Sequence, residues 1–461
     1  MSGKENYSGG KLIKDWDIEN KKFWEETGKH VANRNLLISV PALLLSFSVW
    51  LIWSIMVVKL PDAGFKFTPD QLLFLAALPP LSGATLRIFY SFMIPVFGGR
   101  VWTFITTLSL LIPAIGSGIA INNPNSSYEL FVILALLSGL GGGNFASSMS
   151  NISYYFPKAK KGSALGINAG IGNLGVSVAQ FFIPLVITFP LFGSLAGEGV
   201  KYTASNGEIK TLYLQNGAYF WVIFIVIISV FVWFGMNSLS TAKASVKDQF
   251  TIFKSKHNWL MCWLYIGTFG SFIGYSSAFP TVIKTQFTEY DPLKYAFLGP
   301  LVGAIFRPLG GIISDKLGGA KVTFWNFVIM GLAVYSVIYF TELHNFWGFF
   351  LSFMLLFITT GIGNGSTFRM VPIIYFNEYN KKTSLSNEQK IALAARDGAT
   401  VLGFTSAIGA YGGFLIPKMF GYSIKNFGNL NTALYIFIIF YASCLLITFW
   451  YYYRKNAESP C

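Results

Sequence analysis

The sequence predicts an all-α membrane protein with twelve transmembrane helices in two pseudo-symmetric six-helix bundles. Three observations carry this expectation. The 461 residues are 53% hydrophobic and only 12% charged, with a mean hydropathy of +0.53, whereas soluble domains carry about 25% charged residues. Twelve stretches are long and apolar enough to cross a bilayer, which takes about 20 residues each. Short motifs also recur at an offset of 220 positions, one copy in each half.

The spans fall near 36–59, 71–97, 102–121, 129–154, 163–191, 217–237, 258–283, 295–314, 321–341, 346–376, 396–422 and 430–453. They define a tail at 1–35, a first bundle at 36–237, a linker at 238–257, a second bundle at 258–453 and a tail at 454–461. In the N-terminal tail, DWDIENKKFWEETGKHVANR reads as an amphipathic surface helix with Trp16, Phe23 and Trp24 against the bilayer. This polar segment lacks a cleavable signal pattern. The basic stretch from Lys243 to Lys256 is the linker.

The net charge of +14 is topological rather than a nucleic-acid footprint. With the N-terminus inside, the inner segments hold 23 of the 34 Lys and Arg residues, the outer loops 7, and four fall within spans. That bias places both termini in the cytoplasm, and no nucleic-acid recognition module accompanies the charge. Cys262, Cys444 and Cys461 form no spaced pair, so neither a disulfide framework nor a metal site is expected, and they read as small packing residues. There is no phosphate-binding loop, catalytic triad or dinucleotide fingerprint. No cofactor and no enzymatic activity are expected.

Two of the four intramembrane cations repeat. Arg87 ends GATLR from Gly83, and Arg307 ends GAIFR from Gly303. A charge at mid-membrane depth costs about 2.5–3.5 kcal/mol even on the gentlest scale. Arg87 lies some ten residues from the Gly98-Gly99 turn, about 15 Å along a helix, too far to snorkel. The same offset relates Gly141-Gly142-Gly143-Asn144 to Gly361-Ile362-Gly363-Asn364, and Tyr155-Phe156 to Tyr375-Phe376. Arg369 lies nearer the inner end of span 10, where it either snorkels or forms an access step for anions. Lys418 reads as reaching the outer headgroups.

Six plus six spans, an inside linker and parallel halves resemble the major facilitator superfamily. GGIISDKLGGAK from Gly310, with Asp315 in the acidic position, is similar to its inside-loop signature. The first-half counterpart YSFMIPVFGGR lacks the acid. In that architecture the substrate site lies near the midplane between the halves, which implies that Arg87 and Arg307 face one cavity at one depth.

Spans 5 and 11 narrow the resemblance. GINAGIGNLGVSVAQ carries Gly166, Gly170, Gly172 and Gly175, and GFTSAIGAYGGFLIP carries Gly403, Gly409, Gly412 and Gly413. These look like the paired signatures of the nitrate/nitrite porter family of NarK/NarU type. GGNFASSMSNISYYFPK from Gly142, Asn33-Arg34-Asn35 and Ser39-Val40-Pro41 also match. The resemblance implies that Arg87 and Arg307 clamp the anion and that Phe145 and Phe269 sandwich it. It implies that Asn173 donates a hydrogen bond and Tyr265 lines the cavity, with Phe47 a further candidate. It implies Gly166, Gly170, Gly172, Gly175, Gly409, Gly412 and Gly413 as helix-packing positions. A planar guanidinium fork suits a planar oxyanion and stays charged at any relevant pH. Each residue also has an ordinary reading: a packing phenyl ring, a helix-bridging amide, a contact hydroxyl.

The acids Glu129, Asp315, Glu378 and Asp397 sit at span ends or in loops, and His30, His257 and His344 lie outside the spans. Proton-coupled carriers use a buried acid or histidine, so the pattern favours exchange of nitrate for nitrite. A proton-coupled nitrate symporter, an organic-phosphate antiporter and a nitrate sensor are the alternatives. The expected setting is a bacterial plasma (inner) membrane, as a monomer in the lipid bilayer with nitrate and nitrite as its ligands.

Overall fold

A computed structural model describes residues 7–203, 207–240, 242, 250–381, 383 and 385–461. Half of the basic stretch from Lys243 to Lys256, residues 243–249, therefore lies outside the described residues. Eleven helices among the described residues are long and apolar enough to cross a membrane. The seventh predicted span is present but broken. It runs as Lys256–Tyr265, a π-helical turn Ile266–Gly270, and Ser271–Gln286, so neither α-helical piece is long enough alone. A π-turn inserts one residue into the helical ladder and often marks a functional site.

The other spans lie close to their expected places: Lys29–Trp50, Pro69–Tyr90, Gly99–Leu108 with Leu111–Asn122, Tyr128–Ser153, Lys158–Val186 and Asn216–Gly235 in the first half. In the second half they are Leu298–Leu317, Gly319–Glu342, Phe346–Asn380, Asn387–Ala410 with Gly412–Phe427, and Asn431–Thr448. Spans 10 and 11 extend several residues beyond the apolar windows, because Ser386 begins span 11 early. Its side chain and that of Gln389 form a reciprocal capping box. The loop between spans 5 and 6 adds an antiparallel hairpin, Val200–Thr203 with Ile209–Leu212, a strand pair that the apolar pattern does not announce.

By packing, the chain forms two compact units. One comprises Met1–Phe67 and Leu81–Ala244, the other Thr68–Pro80 and Ser245–Cys461. Span 2 thus contributes to both. Its first half lies in the second unit, where Phe74 meets Phe414 at 6.5 Å and Asp70 pairs with Lys425 at 3.6 Å.

In the first unit, span 1 packs against spans 4, 5 and 6. Glycines set the closeness. A methyl at Gly175 would overlap the Leu44 carbonyl oxygen, and the Ser48 hydroxyl donates to the Gly175 carbonyl at 2.9 Å. Gly172 seats the Leu43 side chain. Gly170 is half-buried in mid-span, whereas a methyl at Gly166 would meet no atom within 4 Å. The tight face expected from Gly166 is therefore made about two turns later, at Gly172 and Gly175.

The N-terminal tail departs from the amphipathic surface helix. Helix begins only after Asn20, whose side chain accepts from the Lys22 and Phe23 amides. Trp24 is buried against Phe156. Trp16 donates to the Tyr154 carbonyl at 3.0 Å and meets Tyr155 edge-on. These aromatics find protein rather than lipid because the tail is tied down. Leu12–Ile13 pair in parallel with Ser238–Leu239. Asn237 donates its amide to Asn35 Oδ1 at 2.8 Å, and its carbonyl accepts from Tyr155 at 2.7 Å.

Gly175→Val should destabilise the protein by about 1–3 kcal/mol, the usual cost of overpacking, whereas Gly166→Ala should leave its melting temperature unchanged. Thermal unfolding of the two variants in detergent reads the difference.

Candidate functional site

In both arginine motifs a glycine stands four residues, about one helical turn, before the arginine, so the two lie on one helix face. Gly83 backs onto Gly142 and the Trp50 indole. Gly303 meets the Phe272 ring, and a methyl at Gly361 would overlap the Gly303 carbonyl. Close approach at the glycine puts the arginine stem into the helix crossing, where a longer side chain one turn earlier would hold the helices apart.

In the first unit Arg87 is fully buried, at 0% exposure. Its Nε donates to the Gly142 carbonyl at 2.8 Å. Three rings face the guanidinium: Phe145 at 4.8 Å, Trp50 at 4.9 Å and Phe47 at 5.8 Å from their centroids. Phe47 lies edge-on to both Trp50 and Phe145. Desolvated cation–π contacts are worth about 2 kcal/mol, which offsets part of the burial cost. Span 5 adds Asn173, 1% exposed, with neither its amide nitrogen nor its oxygen hydrogen-bonded. A buried amide in that condition costs about 1–3 kcal/mol.

The second unit holds Arg307, 7% exposed. Its Nη2 donates to the Tyr265 hydroxyl at 3.4 Å. The rings of Phe368 and Phe269 lie 5.7 and 6.0 Å from the guanidinium carbon. Tyr265 stacks on Phe269 at 5.4 Å. The π-turn places these two rings, and the span 11 glycines seat it. Gly409 packs on the Tyr265 ring and Gly412 on the Gly270 backbone, while Gly413 fits between Ile273 and Pro80.

Within each unit the structure brings the expected residues together: Arg87 with Phe47 and Phe145, and Arg307 with Tyr265 and Phe269. It adds Trp50 and Phe368. Trp50 stands three residues after Phe47 on the same helix face, a spacing visible in the sequence. Phe368 precedes Arg369 in an apolar run and had no distinguishing signal. Arg369 forms an ion pair with Asp315 near the inner end of span 8, with both side chains about half exposed. Lys418 is exposed, with its ammonium 4.6 Å from the Phe74 ring centroid. Asp397 lies deeper than expected. It is 4% exposed, with its carboxylate accepting from Tyr379 at 2.6 Å and Arg396 at 2.8 Å.

The profile of the Major Facilitator Superfamily matches residues 39–386. The nitrate/nitrite transporter NarU of Escherichia coli is 48% identical over 453 residues, 96% of this chain and 97% of that protein. The chain belongs to the Major Facilitator Superfamily, in its NarK/NarU-type branch. Within this superfamily, the probable nitrate/nitrite antiporter NarK2 of Thermus thermophilus is 39% identical, covering 98% of this chain and 99% of that protein. The superfamily fold is shared with a crystal structure of a bacterial homologue of the human lysosomal transporter Spinster. That structure has a TM-score of 0.63 at 15% identity, covering 90% of this chain and 95% of the other.

If Arg369 acts only through Asp315, the variants Arg369→Ala and Asp315→Ala and their double should lower the transport rate to the same level. Both side chains are about half exposed, so the pair should contribute no more than about 1 kcal/mol to stability. A double-mutant cycle in transport rate and melting temperature measures both.

Proposed function

We propose that this protein is a nitrate/nitrite transporter of the bacterial plasma membrane, exchanging nitrate for nitrite, with Arg87 and Arg307 holding the anion. The observation that carries the reading is the buried Arg87 guanidinium among Phe47, Trp50 and Phe145. It sits in a chain 48% identical over nearly its whole length to a NarU transporter. Its relatives, a nitrate/nitrite transporter and a probable nitrate/nitrite antiporter, point to the same substrates and to antiport.

The chemistry supports an oxyanion. A guanidinium offers two parallel N–H donors to two oxygens, the rings exclude water and strengthen its field, and Asn173 supplies a neutral donor. Phe145 beside Arg87 and Phe269 beside Arg307 put apolar surface next to each guanidinium, which suits a small anion better than a bulky, heavily hydrated organic phosphate. The chain is a carrier rather than an enzyme. The positive-inside bias supports cytoplasmic termini.

Exchange follows from hydration. Closing the protein around a guanidinium removes its water, and a bound anion replaces that hydration with charge-assisted hydrogen bonds. The loaded protein therefore changes state more easily than the empty one, which couples anion-in to anion-out. Asp397 favours a second reading, proton-coupled nitrate symport, since it is a buried carboxylate within span 11. Its engagement by Tyr379 and Arg396 makes it a structural group in the exchange reading.

In liposomes, labelled nitrate should enter against internal nitrite and should not enter vesicles that lack an internal anion substrate. Rapid uptake into such vesicles on a pH gradient would replace exchange with symport. Arg87→Lys and Arg307→Lys should each cut counterflow about tenfold or more, because a point charge lacks the bidentate fork. Full transport by both lysine variants would remove the clamp.

A further inference from the structure

Three groups far apart in sequence meet where the C-terminal tail folds back onto the second unit. His257 opens span 7, Glu378 lies in the last turn of span 10, and Glu458 is in the tail. The tail is fastened there. Ser459 donates its amide to the Tyr451 carbonyl at 3.1 Å, and Asn377 donates to the Pro460 carbonyl at 2.8 Å.

The His257 side chain is 1% exposed. Its Nδ1 is engaged by the Tyr452 hydroxyl at 3.0 Å. Its buried Nε2 makes no hydrogen bond. That nitrogen points at Oε1 of Glu378, 3.6 Å away, and at Oε1 of Glu458, 3.7 Å away. Both distances exceed a hydrogen bond. Donor atoms of the three residues all lie within 4.8 Å of one another. Two ligands each about 2.0–2.2 Å from one zinc ion stand about 3–4 Å apart. The histidine–carboxylate spacings of 3.6 and 3.7 Å match ligands around one ion, and they also fall within ion-pair range.

We propose that His257, Glu378 and Glu458 form a site for one divalent transition-metal ion of the zinc class. The ligands are Nε2 of the histidine and one oxygen of each carboxylate, and the ion staples the tail to the ends of spans 7 and 10. Imidazole nitrogen beside carboxylate oxygen selects zinc, cobalt or nickel over magnesium and calcium. One histidine and two carboxylates leave a fourth position for water. The Tyr452 hydroxyl on Nδ1 is the outer partner that fixes the ring of a metal-binding histidine.

Two lysines share these carboxylates. Lys256 lies 2.6 Å from Oε2 of Glu458, and Lys381 lies 2.7 Å from Oε1 of Glu378. Lys256 leaves the second Glu458 oxygen facing His257. Lys381 competes with the ion at Glu378; it also donates to the Glu458 carbonyl at 2.7 Å, a bond it can keep while the ion takes the carboxylate oxygen. The sequence showed no metal spacing, because the ligands come from a span start, a span end and a tail.

The test uses the full chain without a polyhistidine tag, purified in detergent and stripped with a chelator. Calorimetric titration should show one saturable zinc per chain, and zinc should raise the melting temperature while magnesium does not. Cobalt should give a visible absorption band that zinc displaces. Glu458→Gln and Glu378→Gln, both at partly exposed side chains, should each lower zinc affinity about tenfold or more with little change in the melting temperature of the metal-free protein. His257→Gln should abolish binding, but the two glutamate variants decide the matter even if it misfolds. Absent saturable binding, an equal shift with magnesium, or undiminished affinity in both glutamate variants would overturn the proposal. So would binding lost in Cys461→Ser but kept in Glu458→Gln, which would assign the metal to the tail thiol.

Discussion

Burying a guanidinium is the constraint around which this protein is arranged. Each half carries one at the crossing of two helices, and each crossing exists because glycine allows backbones to touch. The glycine one turn before the arginine brings the helices together, and the arginine then fills the space that opens below. Rings close over the charge from neighbouring spans. The interaction is costly in an apolar interior, and the fold spends several close glycine contacts and at least five aromatic side chains on making it tolerable.

The two halves meet this constraint differently. Arg87 is fully enclosed and leans on a backbone carbonyl, a partner that substitution of a side chain does not remove. Arg307 is slightly open and leans on a phenol hydroxyl carried by the residue before a π-turn. The turn is a local irregularity in span 7, held by the glycines of span 11, so the signature glycines of the second half act on the segment that carries Tyr265 and Phe269. In the first half, Gly175 does the equivalent for span 1, close behind Phe47.

Much of this was legible in the sequence. The arginines were readable because charge in an apolar stretch is rare, and Phe145, Phe269, Tyr265 and Asn173 because a family resemblance named them. Trp50 was readable in principle from its spacing to Phe47. The π-turn was not, because an inserted residue leaves the pattern of a span that is apolar all round unchanged. The tail was misread for a related reason: an amphipathic pattern says that one face is covered, not by what. Trp16 and Trp24 are covered by Tyr154, Tyr155 and Phe156. Asp397 looked like a span-end residue because the apolar window begins at 396, well after the helix capped by Ser386 has started. Gly166 and Gly175 are indistinguishable by composition, and only one faces a neighbouring backbone.

The short pairing of Leu12–Ile13 with Ser238–Leu239 has a topological meaning. It brings together the segment before the first span and the segment after the sixth, so the start and finish of the first repeat are neighbours. A chain whose ends meet is a closed loop in all but covalent connection. The order in which its six helices are threaded is then separable from their arrangement, and the first repeat could be circularly permuted, with a short peptide joining its present ends and new termini opened in an exposed loop.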